Sequence, residues 1–223
     1  MIIFTHKFEK NNDNFLRFIQ YIKLSTVFDD EKISSIKDKF TKFNPDLLFS
    51  FHFRKKIDAS LLNIPRYKSI NLHPSLLPKY AGCFSSVWAI LNGEEETGIS
   101  YHYMTKKFDS GNVIFQEKIF IDKKDTSYSL FYKLLFLSLE NITNVLELIF
   151  NKKFKGFEQN LNLRTYYSRK IPYKGFINLK WSLEKIERFI RSMYFPPFKG
   201  ACLKKDKKVY EITSFKKLKK HLN

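Results

Sequence analysis

The sequence predicts an α/β fold, a Rossmann-like, doubly wound, mostly parallel sheet with a small C-terminal helix and hairpin extension. Three observations carry that expectation. Through the first 125 residues short apolar runs alternate with stretches of helical spacing. Leu47–Phe51 is a continuous apolar run between polar residues, as expected of a strand buried on both faces. Beyond Asn151 the alternation weakens into irregular chain.

The elements follow in order. Met1–Thr5 reads as a strand. Asn14–Leu24 has apolar residues at 15, 16, 18, 19 and 22, a helical spacing. Glu31–Phe43 repeats that spacing with Ile33, Ile36, Phe40 and Phe43, and Asn44-Pro45 stops it. Leu47–Phe51 and Ser69–Leu72 are strands, separated by a Pro- and Gly-punctuated loop from a helix at Ser85–Asn92. Thr97–Met104 and Val113–Ile121 are strands. Asp125-Thr126 opens a long amphipathic helix to about Phe150, with Leu130, Leu134, Leu137 and Leu146 on its apolar side. A short helix at Ser182–Met193 and a hairpin from Ala201 to Ile212 complete the chain. The organisation is a core over residues 1–150 and a basic extension over 151–223.

Composition bounds the function. The 223 residues, 43% of them hydrophobic and 17% aromatic, suffice for one main core. Cys83 and Cys202 form neither a disulfide framework nor a metal-ligand pattern, which points to a reducing, cytoplasmic setting and no metal. The apolar start is too short for a signal-peptide core. The longest apolar stretch, Leu130–Phe150, is broken by Lys133, Glu140 and Glu147, so no membrane insertion is expected. Of the net charge of +18, residues 151–223 carry +15, with 16 Lys and 4 Arg against 4 Glu and 1 Asp. Such a tail suits phosphates or an anionic surface, and equally a solvated lysine-rich face.

Ser69–Gln116 carries the chemistry. Ligands bind open parallel sheets at the carboxyl ends of strands, and Asn71 and His73 occupy alternate positions at such an end, sharing one face. Pro74 and Pro78 restrict the exiting loop, and Asp109 precedes Gly111 in the loop between two later strands. An amide, an imidazole and a carboxylate suit acyl transfer to an amine. The amide donates to a developing oxyanion, the imidazole stabilises it or moves a proton, and the carboxylate orients the ring or takes a proton through water. By residues alone, Asn-x-His at a strand end and Asp109 in a hairpin turn fit a structural role as well. His6, His52 and His221 have no evident partner, and His102 suits packing on its strand as readily as catalysis.

The same segment resembles the folate-dependent formyltransferases, whose pattern here is Asn71, His73, Ser75, Leu77-Pro78, Gly82, Trp88-Ala89, Thr97-Gly98, Asp109 and Gly111. The resemblance implies that Asn71, His73 and Asp109 are catalytic and that the formyl donor is 10-formyltetrahydrofolate. It also implies that the backbone around Phe51, Phe53 and Ile57 and the loop of Asp109 and Gly111 hold the pterin. The chain departs from the family at Ala81, where Arg is frequent, at Ser85 and Ser86, where Pro is frequent, and in having only 44 residues before Pro45.

Among the branches, Tyr167–Ile177, Trp181 and Ile190–Ala201 resemble the sugar-nucleotide N-formyltransferases. That implies a nucleotide-linked amino-dideoxy sugar as acceptor, dTDP-linked, serving a surface polysaccharide such as an O-antigen. Lys79, Tyr80, Arg191 and Tyr194 are then substrate contacts, the basic side chains toward a pyrophosphate, with Trp181 against the base. The extension completes the acceptor site or a homodimer interface. Alternatives are an initiator methionyl-tRNA formyltransferase, a glycinamide ribonucleotide formyltransferase, and a non-enzymatic module whose basic face binds nucleic acid or membrane; stable nucleic-acid binding is not expected of the favoured reading.

Overall fold

The computed structural model describes residues 2–5, 25–28, 33–51, 53, 56–151 and 154–222. The fold is α/β with a mostly parallel central sheet, as the sequence predicts. The chain divides into two compact units, Met1–Asn71 with Tyr103–Lys106, and Leu72–His102 with Lys107–Asn223. The division falls inside the strand Ser69–His73.

In the first unit, β1 (Ile2–Thr5) pairs in parallel with β2 (Ser25–Phe28), a strand that the apolar periodicity leaves unassigned. The helix expected at 14–24 lies outside the described residues. Helix α1 (Ile33–Phe43) buries Ile36 and Phe40, four residues apart on one face, against Leu48 of β3 (Leu48–Phe51) and Leu61 of α2 (Ala59–Leu62). Asn44, left-handed at φ 48°, donates its backbone N–H to Phe40 O and ends α1 where the Asn-Pro pair predicts. Asp58 accepts from Ser60 N and caps α2. β4 (Ser69–His73) starts in this unit, with Ser69 O accepting from Met104 N.

In the second unit, β5 (Ala81–Gly82) leads into α3 (Ser85–Asn92), followed by the antiparallel pair β6 (Glu96–Tyr103) and β7 (Val113–Phe120). Hydrogen bonding orders the central strands β3-β4-β6-β7. Gly98 is obligatory in β6, because a Cβ there would lie 2.0 Å from Glu117 O and 2.6 Å from Leu76. The long helix expected from 125 to 150 is two, α4 (Ser127–Glu140) and α5 (Ile142–Phe150). Thr126 caps α4 through a capping box with Ser129. Asn141 ends it by turning its amide onto Leu137 O and Glu117.

The C-terminal segment is built into this unit. β8 (Tyr166–Tyr167) pairs in parallel with β5. Helix α6 (Leu183–Ser192) packs its Ile186, Phe189 and Ile190 against Leu91 and Trp88 of α3 and against the hairpin β9 (Ala201–Lys205) and β10 (Lys208–Ile212). A final helix, α7 (Phe215–Leu222), adds Leu218 to that cluster. The expected helix and hairpin are therefore present, but their core is shared with α3. Among the described residues no helix is long and apolar enough to cross a membrane, and no three His, Cys, Asp or Glu side chains are grouped to hold a metal ion.

Candidate active site

The site grows from the end of β4. Strand alternation puts Asn71, half-buried, two positions before the buried His73. The loop that follows is pinned by hydroxyls. Ser75 Oγ donates to Lys79 O at 2.7 Å, Ser100 Oγ donates to Ser75 O at 2.5 Å, and Leu77 N donates to Ser100 Oγ at 3.0 Å. Gln116 Nε2 donates to both Leu77 O and Ser100 Oγ at 2.8 Å. The loop thereby delivers Tyr80 in a left-handed conformation, φ 58°, with its carbonyl 2.8 Å from His73 Nε2. A carbonyl only accepts, so Nε2 carries the proton and, in the neutral ring, Nδ1 carries the lone pair.

That lone pair faces Asp109. Its Oδ2 lies 3.7 Å from His73 Nδ1 and accepts from Gly82 N at 2.7 Å, while Oδ1 lies 3.5 Å from His102 Nε2. Gly82 can donate there because it is glycine. At φ 94° a Cβ would sit 2.2 Å from Tyr167 O, across the β5–β8 pairing. Asp109 itself is left-handed at φ 49°, a conformation that Asp tolerates better than most residues.

Burial is the largest influence on His73 and pulls its pKa below 6.5, against the Asp109 charge and the Tyr80 carbonyl, which raise it. Burial alone would raise the Asp109 carboxyl. The neighbouring imidazoles, His73 first, and the Gly82 N–H outweigh it and hold the group well below the usual carboxylate range. At neutral pH the pair is therefore a neutral imidazole with a carboxylate behind its free nitrogen. A proton arriving at Nδ1 meets that carboxylate, so the arrangement is set to take up a proton while sheltered from water.

Of the residues expected from the sequence, the structure brings His73 and Asp109 together. Asn71 lies on the same strand. Phe51 stacks edge-on against Phe49, Phe53 is half-buried, and Ile57 packs on the core of the first unit. Gly111 is buried beside the Asp109 loop and accepts from Gln159. Lys79 is exposed.

The other expected acceptor contacts have intramolecular partners. Tyr80 is 7% exposed, its hydroxyl donates to Glu94 at 2.6 Å and its ring stacks on Tyr167. Trp181 packs with Tyr173 and Phe189 in the C-terminal cluster, because its indole completes that small core. Arg191 binds Glu187 at 2.7 Å and Asp125 O at 2.6 Å. Tyr194 gives its carbonyl to Ser127 Oγ and Tyr128 N. The sequence left His102 open between packing and catalysis and gave no sign of the Tyr80 carbonyl, the Gly82 N–H or the Gln159 amide. His102 carried only the signal of a histidine on a strand beside the Asp109 loop, a backbone group carries none, and Gln159 is far from that loop in sequence.

Comparison with known proteins places the chain in a family. Residues 6–146 match the family model described as formyl transferase. The chain belongs to the formyl transferase family. A curated relative, GDP-perosamine N-formyltransferase of Brucella melitensis, is 44% identical over 172 residues, covering 77% of this chain and 66% of the relative. The chain thus spans slightly under two thirds of that relative's length. A crystal structure of a 4-N formyltransferase from Francisella tularensis superposes with a TM-score of 0.78 at 23% identity, over 94% of this chain and 84% of the other. A second, of WlaRD, a sugar 3N-formyl transferase in the presence of dTDP and 5-N-formyl-THF, gives a TM-score of 0.70 at 27% identity, over 87% of this chain and 69% of that one.

Proposed function

We propose that this chain is an N-formyltransferase that moves the formyl group of 10-formyltetrahydrofolate to the amine of a nucleotide-linked amino-dideoxy sugar destined for a surface polysaccharide. The observation that carries the proposal is the His73–Asp109 pair, with Nε2 committed to Tyr80 O and Nδ1 backed by a buried carboxylate. The names of the sugar N-formyltransferase relatives support the acceptor class.

The folate supplies the formyl carbon as an electrophile. Phe51, Phe53 and Ile57, each half-buried, are the proposed apolar contacts of its flat ring. Asn71 donates a side-chain N–H to the formyl oxygen as it gains negative charge, a contribution of about 3–4 kcal/mol in comparable sites. His73 takes the proton of the attacking amine at Nδ1, directly or through water, Asp109 stabilises the imidazolium, and that proton passes to the tetrahydrofolate nitrogen as its bond to the formyl carbon breaks. Lys79 and Tyr194 remain the proposed contacts to the acceptor diphosphate. Tyr80, Trp181 and Arg191 are engaged within the chain, by Glu94 and Tyr167, by Tyr173 and Phe189, and by Glu187 and Asp125.

The nucleotide expected from the sequence is dTDP, and the 44% identical relative named for GDP-perosamine adds GDP as a second arm. A panel of dTDP-, GDP- and UDP-linked amino sugars, assayed for release of tetrahydrofolate, tests the proposal. Release that depends on one of these acceptors is expected; no turnover with any of them would sink it. The homodimer proposed with it is read by light scattering on the purified chain.

A further inference from the structure

The chain after α5 returns alongside the start of β7. Val113 N donates to Phe157 O at 2.8 Å and Phe157 N to Val113 O at 2.7 Å, an antiparallel bridge that Asn112 Nδ2 extends with a bond to Lys155 O at 3.3 Å. This register sets Gln159, two residues further on, beside the loop that carries Asp109. Gln159 is 8% exposed, and its Nε2 donates to Gly111 O at 2.6 Å and to Asp109 O at 3.2 Å. The opposite amide orientation would set Oε1 against those two carbonyls, so the orientation is fixed. Oε1 is buried without a hydrogen-bond partner among the described residues, an unfavourable placement accepted for the sake of the two N–H bonds. Arg164 adds Nη2 to Phe108 O at 3.0 Å and Nη1 to Asp109 O at 3.4 Å.

We infer that Gln159 is a positioning residue: its amide locks the left-handed backbone of Asp109 so that the carboxylate stays between Gly82 N, His102 and His73 Nδ1. The inference rests on the proposed formyl transfer for its kinetic consequence. It gives the segment after α5 a direct part in the catalytic geometry, through a residue that touches no reacting atom.

The test is a double-mutant cycle of Gln159→Met, which keeps the volume and removes the N–H donors, with Asp109→Asn. It is read by kcat, acceptor KM and the NMR titration of the His73 ring. Burial is the largest influence on His73 and lowers its proton affinity, as His102 and Arg164 also do, while Asp109 and the Tyr80 carbonyl raise it. Gln159→Met should lower kcat by about tenfold or more, leave KM within about twofold, and move the His73 titration to lower pH, as Asp109→Asn does. In the Asp109→Asn background the same substitution should change kcat by less than about twofold. Additive losses, or an unmoved His73 titration in a folded Gln159→Met, would overturn the inference. Gln159→Asn replaces the Met variant if that does not fold, with the same pattern expected. If the wild-type chain transfers no formyl group, the functional proposal fails, while the His73 titration still reports whether Gln159 holds Asp109.

Discussion

Replacing Asp109 by Asn removes a charge from a side chain only 9% exposed, 3.7 Å from His73 Nδ1. An ion pair at that separation is worth on the order of 4 kcal/mol at an effective dielectric constant of about 20. The attraction exists only while His73 is protonated, so it stabilises the imidazolium that forms as the amine loses its proton. Losing it raises the barrier by up to about 4 kcal/mol, a fall in kcat of up to about 10³-fold. Asn keeps the volume and an oxygen for Gly82 N, so the fold should survive. The sign for pH follows from the same pair. Asp109 raises the proton affinity of His73 against burial, so the variant's His73 titrates at lower pH and the acid limb of kcat/KM moves down with it. Steady-state formyl transfer from about pH 5 to about pH 9, paired with NMR titration of His73, measures both. Wild-type kcat, or a His73 that titrates at higher pH, would refute the assignment.

Stability should fall as pH drops below 6.5, because His73 is held neutral in the folded chain and the unfolded chain binds its proton there, with a further loss below 3.8 from Asp109. Urea midpoints at successive pH values read this, and His73→Gln should abolish the upper part. Gly82→Ala puts a Cβ 2.2 Å from Tyr167 O, so it should separate β5 from β8, withdraw the N–H from Asp109 and lower both activity and melting temperature; amide exchange at Gly82 and Cys83 that stays protected would contradict this. Phe189→Ala, at a fully buried position of the C-terminal cluster, should cost about 3–5 kcal/mol in denaturant titration. Activity per folded molecule should hardly change.

The fold was legible where burial writes a period into the chain. Leu47–Phe51 and the hairpin around Lys205–Lys208 appear close to where apolar runs and turn residues put them. The helix break at Asn141 was not, since it depends on Glu117, distant in sequence, accepting from the Asn141 amide. β5 and β8 escaped because each is two residues long, too short for alternation to register. In the site, Asn71, His73 and Asp109 fitted a structural role as well by residue type alone, and it was the resemblance of the whole Ser69–Gln116 pattern to the formyltransferases that singled them out. The groups that aim them were not legible: the Tyr80 carbonyl, the Gly82 N–H and the Gln159 amide act through the path of the backbone, and His102 joins Asp109 only when β6 is folded beside its loop. Lys79 kept an exposed side chain, whereas Trp181 and Arg191 were drawn into packing and ion pairing that composition alone does not reveal.

The most direct measurement is mass spectrometry of the acceptor after incubation of 10-formyltetrahydrofolate and a nucleotide-linked amino sugar with the wild-type chain and with His73→Ala. One formyl group on the sugar amine with the wild-type chain, and a rate reduced by at least about 10²-fold with the variant, is the outcome the His73–Asp109 geometry predicts. An unmodified acceptor with the wild-type chain, or equal formylation by both proteins, would contradict it.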